Sequence, residues 1–315
     1  MITRTFRTSK PYHYIIFLAG LIGAFFFQRL KEQRGIQSVD FVIESVVFLF
    51  FLASIFLVVF IITKNKLTQK NSFAALYFSL LIFLMPQALS DHKIIIANGF
   101  ILLSYRRIFS LGNKINMKKK YFDASLWLSV ATLFYVWSIF YFVPLLVTII
   151  LSPKDWLKHS LVLVFGAVPS GLLVYLFTSV FGISSSFLMF YLPELNFDIF
   201  SSIPELMKVS VTIISVMTLG SVLCLFSPLI LKNSKSRNNF IVLFLMLFTG
   251  LIISLLSVNM FTENILFLIF PLAVIMANYT QHQRPYWVSD LFLIVLVSLV
   301  LLNLGFNIKN QILLC

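Results

Sequence analysis

The sequence predicts an all-α fold: a polytopic transmembrane helical bundle of about eleven spans, N-terminus inside and C-terminus outside. Three observations carry that prediction. Of the 315 residues, 60% are hydrophobic and only 11% are charged, against about 25% charged in soluble domains. The mean hydropathy is +0.98. The apolar residues also come in bilayer-length runs separated by short charged turns. A soluble globule is excluded, and residues 1–315 read as a single membrane domain. The net charge of +13, from 24 Lys and Arg against 11 Asp and Glu, would point to nucleic acid in a soluble protein. No basic domain interleaved with aromatics exists here, so nucleic acid is not an expected partner. The excess belongs to loops held in the cytoplasm. Cys224 and Cys315 form neither a disulfide framework nor a metal spacing.

The first run, Tyr14–Phe27, follows Arg4, Arg7 and Lys10 and has no small-residue cleavage site after it, so it reads as an uncleaved span. Phe41–Thr63, Ser72–Leu89 and His92–Tyr105 follow. Asp123–Leu151 has 29 residues, long for one helix and short for two. A hairpin turning near Tyr135–Ser138 places Lys154, Lys158, Lys232, Lys235, Arg237 and Arg284 inside, and leaves only Lys208 and Lys309 downstream on the outer side. One long helix would invert that distribution, so the charge rule selects the hairpin, with its turn on the outer face. His159–Phe181, Val209–Leu231, Phe240–Val258, Asn264–Thr280 and Val288–Phe306 complete the spans. Trp156 and Trp287 fall where an interfacial aromatic belt would want them.

The longest outer loop, residues 182–208, contains Pro-Glu-Leu at Pro193–Leu195 and again at Pro204–Leu206. Proline at a first helical position followed by Glu is a helix-start signal. The loop is expected to lie on the outer surface as short amphipathic helices.

Chemistry gathers in the outer turns. Asp40 and Glu44 stand four residues apart and share a helix face, so the pair can act as a general base, bind a metal, or simply complement the helix dipole. Asp91, His92 and Lys93 combine an acid, an imidazole and an ammonium after Pro86. They suit either phosphate binding and acceptor orientation or a capped helix start with a snorkelling lysine. Arg29, Lys31 and Arg34 sit where the charge rule prefers no cations, and can hold a phosphate or lipid head group. Glycine-rich phosphate loops, nucleophile elbows and zinc signatures are absent from the sequence.

Several segments then line up in order: Asp40; LIFLMPQALSDHK, ending at Lys93; YRRIFSL; FDASLWLSVATLFYVWSIFYFVPLL; and PKDWLKH. In that order, Phe41 to about Phe177 resembles the membrane core of the GT-C glycosyltransferases, which use polyprenyl-phosphate sugars at the outer membrane face. The whole chain also resembles a family of bacterial membrane proteins without an assigned function. The GT-C resemblance implies inverting sugar transfer from a polyprenyl phosphate to an external acceptor. In it, Asp40 or Glu44 would be the base, and Asp91 a second acid positioning the acceptor or a divalent metal. Arg34, His92, Lys93 and Lys208 would form the substrate-binding set, the cations holding the lipid phosphate. The expected location is the bacterial cytoplasmic (inner) membrane, in contact with membrane lipid. Two other classes stay open: a lipid-linked saccharide flippase or small-solute transporter, with Asn98, Ser129, Thr132 and Asn278 as path-lining candidates, and a non-catalytic membrane scaffold. Carboxylates and a cation converging on one cavity would favour the enzyme.

Overall fold

The computed structural model describes residues 3–31, 38–113, 115–151, 155–181, 205–230, 234–256, 261–283 and 286–314. Among them every element is helical: α1 (Thr3–Phe6), α2 (Pro11–Lys31), α3 (Ser38–Asn65), α4 (Phe73–Leu84), α5 (His92–Ser110), α6 (Met117–Phe134), α7 (Phe142–Ile150), α8 (Trp156–Phe181), α9 (Glu205–Ile230), α10 (Ser234–Leu256), α11 (Phe261–Asn264), α12 (Leu266–His282) and α13 (Tyr286–Leu314). Short 3-10 turns occupy Pro86–Leu89, Leu111–Asn113 and Val136–Tyr141. Eight helices, α2, α3, α5, α8, α9, α10, α12 and α13, are long and apolar enough to cross a membrane. The helical fold follows from the solvent, since lipid offers no partner to a backbone N–H or C=O. The chain is a multi-pass membrane protein. Helix α12 is apolar on every side and buried without interruption from Leu266 to Asn278, which makes it the centre of the bundle. Phe56, Phe165, Leu172, Leu219 and Phe248 stand exposed on outer helix faces, as a lipid-covered surface requires. Of the outer loop, only Glu205–Lys208 are described. They open α9 at the second Pro-Glu-Leu, and the rest of the expected amphipathic helices lie outside the described residues.

Side-chain pairs fix the relative directions. Phe25 meets Phe48 and Phe51 at ring separations of 5.3 and 5.5 Å, so α3 doubles back along α2. Phe50 meets Phe100 at 5.4 Å and Arg106 lies 4.9 Å over the Phe60 ring. Residue numbers rise together along both helices, so α3 and α5 run parallel. Tyr121 packs on His159 at 4.8 Å, and the Ser125 hydroxyl donates to Leu163 O at 2.5 Å. Thus α6 and α8 are parallel as well. Two parallel neighbours need a return leg between them, and Val136–Tyr141 with α7 is that leg.

The hairpin read from the charge pattern is therefore present, and its turn falls at Tyr135, which leaves the helix for an extended conformation (φ −144°, ψ 108°). Helix α6, with 18 residues, rises about 27 Å to that turn, and its Trp127 and Phe134 both stack on Phe100 of α5, at 5.8 and 5.6 Å.

Helix α4 is also short, and both its flanks receive side-chain donors from other helices. Asn278 Nδ2 donates to Leu67 O at 3.0 Å, and Asn303 Nδ2 donates to Leu84 O at 2.6 Å. The second bond answers a carbonyl stranded where Pro86 starts a 3-10 turn. At the other flank α3 closes with Leu67 N donating to Ile62 O at 3.1 Å and Lys66 N to Thr63 O at 3.4 Å. Lys66 sits at φ 52°. This is a Schellman motif with lysine in the left-handed position that glycine normally takes.

Charge separates along the bundle. At one end Arg107 pairs with Asp123 at 2.8 Å, Lys120 donates to Ser110 O at 2.6 Å, Arg7 lies 3.9 Å over Tyr286, and Thr3 N donates to Asp290 at 2.8 Å. His13, His159 and His282 all stand at this end. His13 hydrogen-bonds Ser72 Oγ at 3.0 Å, and His282 Nδ1 lies 2.7 Å from Asn278 O. Trp156 and Trp287 are both exposed here, as belt residues should be. The opposite end carries Arg29, Glu44, Asp91, His92 and Lys93.

Candidate functional site

At that opposite end, α2 finishes where α3 begins, and α5 starts beside α3 because the two are parallel. Three side chains far apart in sequence therefore converge. Glu44 Oε2 lies 3.0 Å from Arg29 Nε, and Glu44 Oε1 lies 2.7 Å from His92 Nε2. The Arg29 side chain is only 11% exposed and those of Glu44 and His92 are 27% and 24% exposed. These charges are partly withdrawn from water, where their attraction is stronger than at a wet surface. Because the carboxylate can only accept, the short contact assigns the proton to His92 Nε2.

The turn that delivers His92 is clamped from α2. Arg29 donates to Ser90 O at 3.0 Å and Gln28 Nε2 donates to Ser90 Oγ at 2.8 Å. Asp91 then caps α5, its Oδ1 accepting from Lys93 N at 2.6 Å and Ile94 N at 3.2 Å. Of the two readings the sequence allowed for Asp91, the capped helix start is the one its geometry displays. Lys93 is exposed, with its backbone N–H held in that cap. Arg34 and the side chain of Asp40 lie outside the described residues. Among the described residues no group of three His, Cys, Asp or Glu side chains stands close enough to hold a metal ion.

Sequence reasoning missed Gln28, Gln87 and Ser90. The available signal was polarity out of place: Gln28 ends an apolar run, and Gln87 follows the proline that breaks another. Gln87 Oε1 is buried without a hydrogen-bond partner.

Lys208 stands on α9 near a second feature. A slot of about 410 Å³ opens among α4, α9, α10 and α12, between Met85, Val211, Thr218, Leu251, Phe261 and Leu268. Its hydroxyls are turned back onto their own helices. Ser215 donates to Val211 O at 2.7 Å, Ser254 donates to Gly250 O at 3.0 Å, and Thr218 donates to Ile214 O. The surface left for a ligand is hydrocarbon. Lys208 stands on α9 three residues before Val211 and seven before Ser215, on the stripe that lines the slot. Met85 in the slot and Ser90 in the clamp are joined by the four-residue turn Pro86–Leu89, about 8 Å of 3-10 helix.

A family model matches residues 12–311, from the first residues of α2 to the last turns of α13. The chain belongs to a family of unknown function, DUF6427. No curated protein and no solved structure matches it. The match takes in Arg29, Glu44, His92 and Lys208 together with all eight long helices, so the family is defined on the membrane bundle itself.

Proposed function

We propose that this membrane protein transfers a sugar from a polyprenyl phosphate to an acceptor hydroxyl at the face where Glu44 lies. The observation that carries the proposal is the Glu44–His92 contact of 2.7 Å beside Arg29. A carboxylate touching an imidazole is a proton-accepting pair. Arg29 Nε, 3.0 Å from the other carboxylate oxygen, fixes the orientation of the Glu44 side chain. In the reaction the acceptor O–H gives its proton to the Glu44–His92 pair, and the acceptor oxygen bonds to the anomeric carbon. The bond from that carbon to the phosphate oxygen breaks, its electron pair leaving with the lipid phosphate. Lys93 and Lys208 supply positive charge for that phosphate. The slot beyond Pro86 is where the hydrocarbon chain lies. Asp40, four residues before Glu44 on α3, and Asp91 complete the acidic set.

This reading takes the Arg107 end as cytoplasmic and the Glu44 end as outward, by the positive-inside rule, in a bacterial cytoplasmic membrane. A second reading has one observation in its favour: both Glu44 oxygens are already paired, which would equally serve a staple joining α2, α3 and α5. Deletion of the gene followed by glycan profiling of lipid and surface fractions tests the transferase. A lost or truncated glycan, not restored by Glu44→Gln or His92→Asn at normal protein levels, is the expected result. An unchanged glycan in the deletion strain, or full complementation by both variants, leaves the staple.

A further inference from the structure

A cavity lies at the other end of the bundle, and the transferase reading makes no use of it. It measures about 650 Å³, within the range of small-molecule sites, and is bounded by the α3–α4 connection, the end of α12 and the start of α10. Lys66 and Lys70 line it, and none of its lining residues is acidic.

Two of its four amides, Asn71 and Gln281, are committed as acceptors, while Asn278 spends its N–H groups on backbone carbonyls. Gln281 Oε1 accepts from Gln69 N at 3.0 Å, and Asn71 Oδ1 accepts from Phe73 N at 3.2 Å. What these two side chains have left to offer is N–H, and Gln281 Nε2 is buried without a hydrogen-bond partner among the described residues. Two ammonium groups and two amide donors with no competing carboxylate make a lining that favours an anion. The backbone adds an independent argument. Lys66 holds φ 52° at the Schellman position of α3, where an L-residue is strained and glycine is not. Strain retained in the wall of a cavity is the kind found where a side chain has a task.

We infer that this cavity binds a phosphate-bearing organic anion, the phosphate held by Lys66, Lys70 and Gln281 Nε2. The phosphate can come from a soluble metabolite or from a lipid head group, and the volume admits either. The full chain in phosphatidylcholine nanodiscs, titrated with ADP by calorimetry, tests the soluble source. Melting in phosphatidylglycerol against phosphatidylcholine nanodiscs tests the lipid source. Binding of ADP, or a rise in melting temperature with phosphatidylglycerol, is expected for the unaltered protein. Lys70→Gln and Lys66→Gly should each weaken ADP binding about tenfold or more, or abolish the lipid-induced rise. Lys66→Gly removes the strain, so its melting temperature without ligand should hold or increase, and misfolding cannot account for its loss of binding. The pair Lys118→Gln and Lys119→Gln, exposed at the same end but outside the cavity, should leave both readouts unchanged. The site is refuted if neither probe acts on the unaltered protein. It is equally refuted if the Lys118 and Lys119 pair loses as much as the cavity variants, since the effect would then be general surface charge.

Discussion

Two glycines on α8 give a direct measure of how close that helix comes to α6. A Cβ placed on Gly166 would lie 2.7 Å from Phe122 O and 2.9 Å from Ser125 Cβ, while a Cβ on Gly171 meets nothing within 4 Å. Ordinary contact begins near 3.4 Å, so Gly166→Ala demands a shift of several tenths of an ångström. A backbone carbonyl cannot rotate aside as a side chain would. Overpacking of this kind costs about 1–3 kcal/mol, partly offset by the roughly 1 kcal/mol that alanine gains over glycine inside a helix. Gly171→Ala collects only the gain. The two variants should therefore differ by about 1–3 kcal/mol, with Gly166→Ala the less stable, in reversible unfolding of the purified protein in detergent. The difference isolates packing, because propensity cancels between two sites on one helix. Equal stabilities would mean that α6 and α8 are not in contact at Phe122 and Ser125. The parallel pairing that defines the hairpin would fall with them.

Other side chains are open to equally plain tests. Asp91→Ala should cost about 0.5–2 kcal/mol as the α5 cap is lost, and Asp91→Asn only a few tenths because asparagine caps as well. A full loss of glycan transfer in Asp91→Asn with its melting curve unmoved would add a chemical role to the capping one. Lys66→Gly should raise stability by about 1 kcal/mol as the left-handed strain is relieved, and a loss of that size would remove the Schellman assignment. Asn303→Leu leaves Leu84 O without its donor and should cost about 1–3 kcal/mol; a neutral result would mean that the carbonyl has another partner. Glu44→Gln exchanges two charge-assisted contacts for neutral ones, and about 1–2 kcal/mol should be lost on melting.

Local rules carried the sequence a long way and stopped at predictable places. Hydropathy and the distribution of Lys and Arg were enough for the helical class and for the return at Tyr135, whereas the helix start at Pro204-Glu205 was expected of a separate interfacial helix and instead opens α9. Asp91 as a cap is a local pattern, an acid ahead of a helix, and was legible for that reason. The Glu44–His92 contact joins residues 48 apart and exists only because α3 and α5 run parallel, a consequence of how α4 folds between them.

Helix ends at membrane depth also decide what the few polar residues within the spans are for. Asn278, Ser129 and Thr132 were candidates for lining a transport path. In the fold Asn278 Nδ2 donates to Leu67 O and Val274 O at 3.0 and 2.8 Å, Ser129 to Leu126 O at 2.9 Å, and Thr132 to Ser129 O at 2.7 Å. Hydroxyls turned back onto their own helix present carbon to their surroundings, and an asparagine donating twice to backbone has spent its N–H groups. Asn98, the fourth, is buried in α5. A permeating polar solute would need a succession of groups able to replace its water, and three of these four side chains, Asn278, Ser129 and Thr132, are engaged with the backbone. The charged groups, Lys66 and Lys70 at one end and the Glu44 cluster at the other, sit at the two mouths of the bundle. Chemistry or recognition at a membrane face needs that placement.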